Sequence, residues 1–142
     1  MEYFDYHYRV LYADTDQMGV TYYGNYFRFF EAARNEYFRE LGLPYTECEK
    51  KGLFLPVGEA HAKYLGPSRY DDELIIRASV SHLGASSIQF QYQVIQKATG
   101  KVITTGDTLH VFVDKTMPPC RIPEDIRSKV TVHTLLRSTR KA

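Results

Sequence analysis

Two aspartates, Asp14 and Asp16, lie in a glycine-containing stretch directly before the longest helical pattern of the chain. Residues 12–27 read YADTDQMGVTYYGNYF. A carboxylate beside a helix N-terminus stays ionised, because unpaired backbone N–H groups and the positive end of the helix dipole favour negative charge. The same N–H groups can donate hydrogen bonds to an oxyanion that develops during a reaction. These residue types at this spacing indicate a hydrolytic site.

The elements around this stretch are predicted from hydrophobic periodicity. Alternating aromatic and polar residues predict a strand over residues 4–12, and a wide apolar arc predicts a helix over residues 25–41 that Gly42 ends. A short helical turn is predicted from Pro44, and another short helix begins at Pro123. Four further strands are predicted, over residues 53–65, 72–82, 86–97 and 101–114. The wide apolar arc requires a surface that curves around the helix.

Length and charge limit the function classes. The chain has 142 residues, enough for one domain of ordinary size. It contains 18 Lys and Arg against 17 Asp and Glu, a net charge of +1, which provides no global field for nucleic acid. There is no run of about 18 apolar residues and no export signal. We therefore expect a cytoplasmic protein with no nucleic-acid partner and no stable membrane insertion.

The two ends of the chain differ in composition. We expect one folded domain over residues 1–130 and a basic tail over residues 131–142. The last twelve residues contain Arg137, Arg140 and Lys141 and no acidic residue. A segment of this composition is typically solvated and frayed.

One early helix followed by sequential strands predicts an α+β domain, in which a five-stranded antiparallel sheet wraps one long central helix. This predicted architecture resembles the hotdog fold. Residues 14–43, DTDQMGVTYYGNYFRFFEAARNEYFRELGL, resemble the motif of the 4-hydroxybenzoyl-CoA thioesterase family, an Asp-x-Asp-x-x-Gly loop that leads into an aromatic helix. Residues 64–74, YLGPSRYDDEL, resemble the second landmark of that family. The similarity covers about residues 6–125.

The resemblance implies roles for individual residues. Asp16 matches the catalytic carboxylate, and the backbone N–H of Tyr23 matches the oxyanion donor, with Gly24 beside it. Asp14 is then a supporting residue, and Gly19 is the hinge of the loop. One subgroup of the family commonly has a histidine at the position of Tyr23, so we expect no imidazole contribution there. The carboxylate either attacks the carbonyl or activates a water, and the sequence leaves both routes open.

The activity implied by the resemblance is hydrolysis of an acyl-CoA thioester to a free acid and CoA, without a metal or redox cofactor. The family also implies a homodimer or homotetramer with its pocket between protomers. We expect the last strand to form the edge that pairs with the partner, because an open edge leaves backbone donors unpaired. A non-catalytic hotdog module that binds an acyl thioester is the alternative.

Three further residues are candidates near this site. His61 lies on a strand that passes close to the pocket in hotdog enzymes, and the exposed loop residue Arg69 could meet a CoA phosphate. Arg34 falls within the apolar arc of the helix, so its guanidinium is expected to pair with a carboxylate. The candidate partners for Arg34 are Asp14, Asp71 and Asp72.

No metal-binding spacing occurs in the sequence. The five histidines form no i, i+4 pair, and the two cysteines, Cys48 and Cys120, are far apart and are expected to be reduced. An EF-hand register that starts at Asp14 places Met18 at a ligand position and therefore fails. The structural alternative for the loop is an Asx-type turn, in which both aspartates only cap backbone groups.

Overall fold

The computed structural model describes residues 1–135 and consists of one antiparallel sheet and three helices. A single 3-10 turn, Tyr12–Asp14, follows the first strand. The strands are β1 (Phe4–Arg9), β2 (Val57–Tyr64), β3 (Glu73–Leu83), β4 (Ser87–Gln96) and β5 (Lys101–Val111). The helices are α1 (Asn25–Glu40), α2 (Tyr45–Lys50) and α3 (Glu124–Arg127). The predicted five-stranded α+β architecture with one long helix is confirmed.

The five strands lie in the order β1-β3-β4-β5-β2, and every neighbouring pair is antiparallel. β5 therefore lies between β4 and β2, and the expectation that the last strand forms a free edge is wrong. The local pattern could not reveal this, because the pairing of β2 with β5 joins segments about forty residues apart. The two edge strands of the sheet are β1 and β2, and in β2 only Ala62 is partly shielded from solvent.

The long helix α1 packs one aromatic face against the sheet. Its buried residues follow helical spacing and are Tyr26, Phe29, Phe30, Ala33, Tyr37 and Phe38. The ring of Phe30 stacks on Tyr92 of β4 with centroids 4.4 Å apart. Gly106 of β5 permits this close approach, because a Cβ at that position would lie 2.5 Å from the Phe30 ring. This contact fixes the height of the helix above the sheet.

The segment after residue 130 differs from the frayed tail that composition predicts. Val132 forms a parallel bridge with Val80 of β3, and the N–H of His133 donates to the Val80 carbonyl at 2.8 Å. Leu135 is 6% exposed, and its N–H donates to Gln91 Oε1 at 2.8 Å. The packed region therefore reaches residue 135, because this short segment has apolar side chains to bury. The remaining tail residues, 136–142, lie outside the described residues.

Candidate active site

The loop that contains both aspartates folds back on itself as a small hairpin. Thr15 and Thr21 form an antiparallel bridge, and the N–H of Asp16 donates to the Val20 carbonyl at 2.9 Å. The N–H of Gly19 donates to the Asp16 carbonyl at 3.0 Å, which closes a four-residue turn. Gly19 has a φ of +78°, a conformation that favours glycine. The predicted hinge therefore lies at the tip of the loop.

The carboxylate of Asp14 is buried and fully engaged, with the residue 1% exposed. Its Oδ2 accepts hydrogen bonds from Tyr8 Oη at 2.6 Å and from the Leu11 N–H at 2.8 Å. Its Oδ1 accepts from the Arg28 guanidinium. Desolvation and the bond to Asp14 raise the pKa of Tyr8, so its hydroxyl remains a donor. These contacts fasten the start of the loop to β1 and α1.

The backbone carbonyl of Asp14 is also engaged. It accepts from the Tyr22 N–H at 2.8 Å and from Asn25 Nδ2 at 2.9 Å. Asn25 is the first residue of α1. The helix therefore begins at a fixed position relative to the loop, and the Asp14 carbonyl holds this position.

Asp16 lies in a more open environment, half-buried at the base of the turn. Its Oδ1 accepts from the Met18 N–H at 2.9 Å. Within residues 1–135, Oδ2 has no hydrogen-bond partner. Asp16 can therefore offer lone pairs to a substrate or to a water, whereas Asp14 cannot.

The start of α1 leaves two backbone donors unused. Gly24 already has helical dihedral angles, φ −64° and ψ −23°. The amides of the three following residues donate to the carbonyls of Tyr22, Tyr23 and Gly24. The amides of Tyr23 and Gly24 themselves have no acceptor in the described part of the chain. They are the unsatisfied donors that a helix N-terminus provides for an anion.

A cleft of about 310 Å³ opens beside Tyr23, the residue that precedes Gly24. The loop contributes Val20, Thr21 and Tyr23 to its wall, α1 contributes Tyr26, and residues 64–67 form the opposite side. The rings of Tyr23 and Tyr26 lie 5.9 Å and 5.6 Å from that of Tyr64. The walls are therefore largely aromatic and suit an acyl group. The side chain of Asp16 is not among the lining residues of this single chain.

Three buried hydroxyls lie behind the cleft. Ser68 Oγ is 2.6 Å from Thr21 Oγ1 and 2.8 Å from Tyr26 Oη, and the Ser68 carbonyl accepts from the Thr21 N–H at 2.8 Å. All three residues are at most 5% exposed. Ser68 therefore connects the returning arm of the loop to the first turn of the helix.

His61 is not brought to the cleft. It pairs with Asp107 on β5, while its neighbour Ala62 pairs with Gly106, whose missing side chain faces Phe30 of the helix. Because adjacent strand residues point to opposite faces, the His61 side chain lies on the face away from α1. It is 65% exposed, and its Nε2 lies 3.8 Å from a Glu59 carboxylate oxygen.

Arg69 lies beside the loop and is exposed. It forms an isolated bridge with Val20, and its N–H donates to Asp72 Oδ2 at 2.8 Å. No carboxylate of residues 1–135 pairs with its guanidinium. The structure therefore leaves this cation near the loop and available to a phosphate.

Within residues 1–135, Arg34 pairs with no carboxylate, so the expected ion pair is wrong for this residue. Its Nη1 donates to Tyr92 Oη at 3.1 Å, Tyr92 Oη lies 2.8 Å from Thr108 Oγ1, and Thr108 Oγ1 lies 2.8 Å from His110 Nε2. His110 Nδ1 lies 3.2 Å from the Leu55 carbonyl. Since a carbonyl only accepts, Nδ1 donates and Nε2 accepts.

This polar chain explains how a guanidinium fits beside the core. Arg34 is half-buried, and hydroxyl oxygens satisfy its donor without a second charge. Burial first, and the nearby Arg34 charge second, lower the pKa of His110 to about 4. The imidazole is therefore neutral at neutral pH, as its accepted hydrogen bond requires.

Several residues that shape the site were not predicted from the sequence. Arg28 is the first of three arginines in α1 and lies three positions after Asn25, and this charged position in the first turn was the available signal. Tyr8 lies on the apolar side of a predicted strand, and nothing in its local pattern indicates a carboxylate partner. Ser68 and Tyr64 both lie in the second landmark segment, which was a signal for proximity but not for their contacts.

The described residues contain neither a metal-binding cluster nor a membrane-spanning helix. Among residues 1–135, no group of three His, Cys, Asp or Glu side chains is placed to hold a metal ion. No helix in this part of the chain has the length and apolar character needed to cross a membrane.

Comparison with known proteins agrees with this geometry. The model of the thioesterase-like superfamily matches residues 10–130. An acyl-CoA thioesterase of Haemophilus influenzae, YbgC, is 31% identical over 121 residues, which cover 84% of this chain and 88% of that protein.

Solved structures give the same result. The DHNA-CoA thioesterase of Staphylococcus aureus superimposes with a TM-score of 0.86 at 29% identity, covering 91% of this chain and 89% of that one. A gentisyl-coenzyme A thioesterase has a TM-score of 0.80 at 31% identity and covers 87% and 98%. The hotdog fold is confirmed, and the chain belongs to the thioesterase-like superfamily and is a thioester hydrolase.

Proposed function

We propose that this protein hydrolyses an acyl-CoA thioester to a free acid and CoA, with Asp16 as the general base or nucleophile. The main observation that supports this proposal is that two kinds of free group lie in one short segment. Asp16 has a free carboxylate oxygen, and the start of the helix has two unpaired amides. A carbonyl group needs these two kinds of partner, an attacking or proton-accepting group and donors for its oxygen. The acyl-CoA substrate is supported by the names of the related thioesterases.

The reaction begins with the thioester carbonyl oxygen accepting a hydrogen bond from the Tyr23 N–H. Negative charge that develops on this oxygen is stabilised by the amide and by the positive end of the α1 dipole. In one route Asp16 takes a proton from a water, and the resulting hydroxide adds to the carbonyl carbon. The C–S bond then breaks, CoA leaves as a thiolate and takes up a proton, and the free acid is released.

In the second route the Asp16 carboxylate attacks the carbonyl carbon directly. The C–S bond breaks to give an acyl–Asp16 anhydride and the CoA thiolate, and a water then hydrolyses the anhydride. Label that enters the Asp16 side chain during a single turnover in H₂¹⁸O identifies the direct route. The direct route places ¹⁸O in the Asp16 side chain when water attacks the aspartyl carbonyl, whereas the water route labels only the product acid.

We further propose that the active form is a homodimer or homotetramer. β2 is an open edge of exposed residues, and Tyr64 at its end lies on the cleft wall. A second copy that covers this edge would complete the backbone pairing and close the cleft. Such a partner would also bring further groups near Asp16. Arg69, beside the loop, is the proposed contact for a CoA phosphate.

The test of the proposal is release of free thiol from a panel of aromatic and aliphatic acyl-CoAs, measured with a thiol reagent. We expect hydrolysis of at least one class, and loss of hydrolysis in the Asp16→Asn variant. Acyl-CoA binding without thiol release from any substrate would contradict the enzymatic role and support the non-catalytic alternative. Light scattering under the assay conditions tests the assembly, and a fully active monomer would contradict it.

A further inference from the structure

Tyr64 connects the open edge of the sheet to the N-terminus of the central helix. It is the last residue of β2, and its Oη donates a hydrogen bond to the Tyr23 carbonyl at 3.1 Å. Its ring lies edge-on to the Tyr23 ring at an interplanar angle of 75°, and it also contacts Tyr26. The hydroxyl of Tyr64 is therefore held at one defined backbone group.

That backbone group belongs to the same peptide unit as a candidate oxyanion donor. The Tyr23 carbonyl and the Gly24 N–H are the two ends of one planar peptide group, so fixing the direction of one fixes the other. The helical bond to the same carbonyl, from the Tyr26 N–H, is longer at 3.3 Å. A hydrogen bond accepted by a carbonyl also polarises its peptide group, which strengthens the N–H as a donor.

The Gly24 N–H is available for this purpose. It has no acceptor within residues 1–135, and Gly24 carries no side chain that could obstruct an approaching oxygen. A Cβ at this position would lie 2.9 Å from the Tyr22 ring, so the backbone is closely packed on that side. Effective oxyanion sites commonly combine more than one preorganised donor.

Building on the proposed function, we propose that Tyr64 is a positioning residue that orients the Gly24 N–H as a second donor to the thioester carbonyl oxygen, beside the Tyr23 N–H. Tyr64 acts through the peptide group and not through contact with the reacting atoms. Desolvation, and then its interactions with Tyr23 and Tyr26, raise the pKa of Tyr64 above its ordinary value. The hydroxyl consequently keeps its proton and remains a donor across the neutral range.

The Tyr64 hydroxyl is not the main contact that holds the loop and the helix start together. The loop and helix start are already fastened by the Asp14 contacts and by the buried Ser68 hydroxyl. Tyr64 is 42% exposed, so its hydroxyl contributes little to the stability of the fold. Loss of this one bond should therefore change the chemical step while leaving the folded structure in place.

The first experiment is Tyr64→Phe, which removes the hydroxyl and keeps the ring in the cleft wall. We expect kcat to fall about 10-fold, less than the ~10²–10³-fold loss typical when an oxyanion donor is removed, because the N–H remains but is less well oriented. KM should stay within about twofold, and the melting temperature should not change. A kcat within about twofold of wild type would overturn the proposal.

A matched control is Tyr70→Phe. Tyr70 is 45% exposed and stacks on Tyr12 with its ring, and its hydroxyl has no partner among the described residues. Its hydroxyl is not connected to the Tyr23–Gly24 peptide, so we expect wild-type kinetics. An equal loss in both variants would attribute the effect to general removal of a surface hydroxyl and would overturn the proposal.

A second measurement separates this proposal from the proposed function. Two CoA analogues are compared by calorimetry, a ketone in which a methylene replaces the thioester sulfur, and a thioether in which a methylene replaces the carbonyl. Tyr64→Phe should weaken binding of the ketone about fivefold and leave binding of the thioether unchanged. Equal weakening of both would make Tyr64 a simple cleft contact and overturn the positioning role.

The two failures are distinguishable. Suppose that the wild-type protein hydrolyses no acyl-CoA, but the variant binds the ketone more weakly and the thioether equally well. The proposed activity then fails and the positioning role stands. If hydrolysis is present and the variant retains both kcat and ketone affinity, only the positioning role fails. If the wild-type protein neither hydrolyses an acyl-CoA nor binds either analogue, both are overturned.

Discussion

The two aspartates of the loop are separated by one residue in the sequence and have opposite environments. Asp14 is buried, and both of its carboxylate oxygens accept hydrogen bonds from three different elements of the chain. Asp16 is half-buried and accepts one backbone hydrogen bond. One carboxylate is used to hold the loop, and the other is left free by it.

This contrast shows how a small domain maintains a reactive group in a defined position. A buried carboxylate that already accepts three hydrogen bonds is poorly placed to take a proton from a water, but it can immobilise its neighbours. Because Asp14 also fixes Asn25 through its carbonyl, the position of the helix amides relative to Asp16 depends on this anchored residue. The anchor and the proposed reactive group are therefore separate residues of one short motif.

The largest effect is expected for Asp16→Asn. This change keeps the shape of the side chain and the acceptor for the Met18 N–H but removes the charge and the basicity. We expect kcat to fall about 10²–10⁴-fold with KM little changed, as is usual when a positioned general base is lost. Steady-state kinetics test this. Activity within about threefold of wild type corresponds to a change of under about 1 kcal/mol in the activation barrier. Such a result would show that Asp16 has no chemical role.

The dependence of stability on pH extends the comparison to His110, a buried base in the interior. The folded state holds the pKa of His110 at about 4, below the unfolded value of about 6.5, so the unfolded state binds the extra proton first. This contribution is fully present above pH ~6.5 and is lost as the pH falls toward 4, by up to about 3 kcal/mol. In chemical denaturation experiments, the free energy of unfolding should fall less steeply with decreasing pH for His110→Gln than for wild type. Parallel curves would show that carboxylates alone control acid sensitivity.

The anchoring role of Asp14 is tested by Asp14→Asn. The amide cannot accept from Tyr8, Leu11 and Arg28 together, so at least one of these three donors loses its partner. We expect stability to fall by about 1–3 kcal/mol, and kcat to fall less than in Asp16→Asn. Thermal melting and kinetics of both variants give the comparison. An Asp14 variant with normal stability and abolished kcat would reverse the two assignments.

The smallest effect concerns the choice of cation that holds Asp14. A double-mutant cycle between Asp14→Asn and Arg28→Met should give a coupling energy of about 0.5–1 kcal/mol, limited by the half-exposed arginine side chain. The same cycle with Arg34→Met should give no coupling, because Arg34 bonds to Tyr92. Coupling of Asp14 to Arg34 in denaturation experiments would contradict the observed pairing.

Sequence patterns determined the long elements well because their periodicity is strong. The helix predicted over residues 25–41 is observed over Asn25–Glu40, and three of the predicted strands are recovered as β3, β4 and β5 with small shifts at their ends. The first strand was predicted too long. It ends at Arg9 because Leu11 caps a 3-10 turn, which leaves Tyr12 71% exposed although alternation placed it on the apolar side.

The parts that could not be predicted depend on contacts between distant segments. The partner of Arg34 is a tyrosine 58 residues away, and its identity depends on which strand lies above the helix. The free edge likewise depends on β2 returning to pair with β5. A periodic pattern shows which face of an element is buried, but it contains no information about what that face meets.

The segment after α3 also has a consequence for aggregation. β1 pairs with β3 only as far as Ala78, and beyond it Val132 takes the neighbouring position at Val80. The match to the superfamily ends at residue 130. A chain cut at that boundary would leave the end of β3 uncovered and would lose the buried Leu135, and an open strand edge is a template for pairing between molecules. These few residues beyond the family boundary therefore cover β3 beyond the end of its pairing with β1.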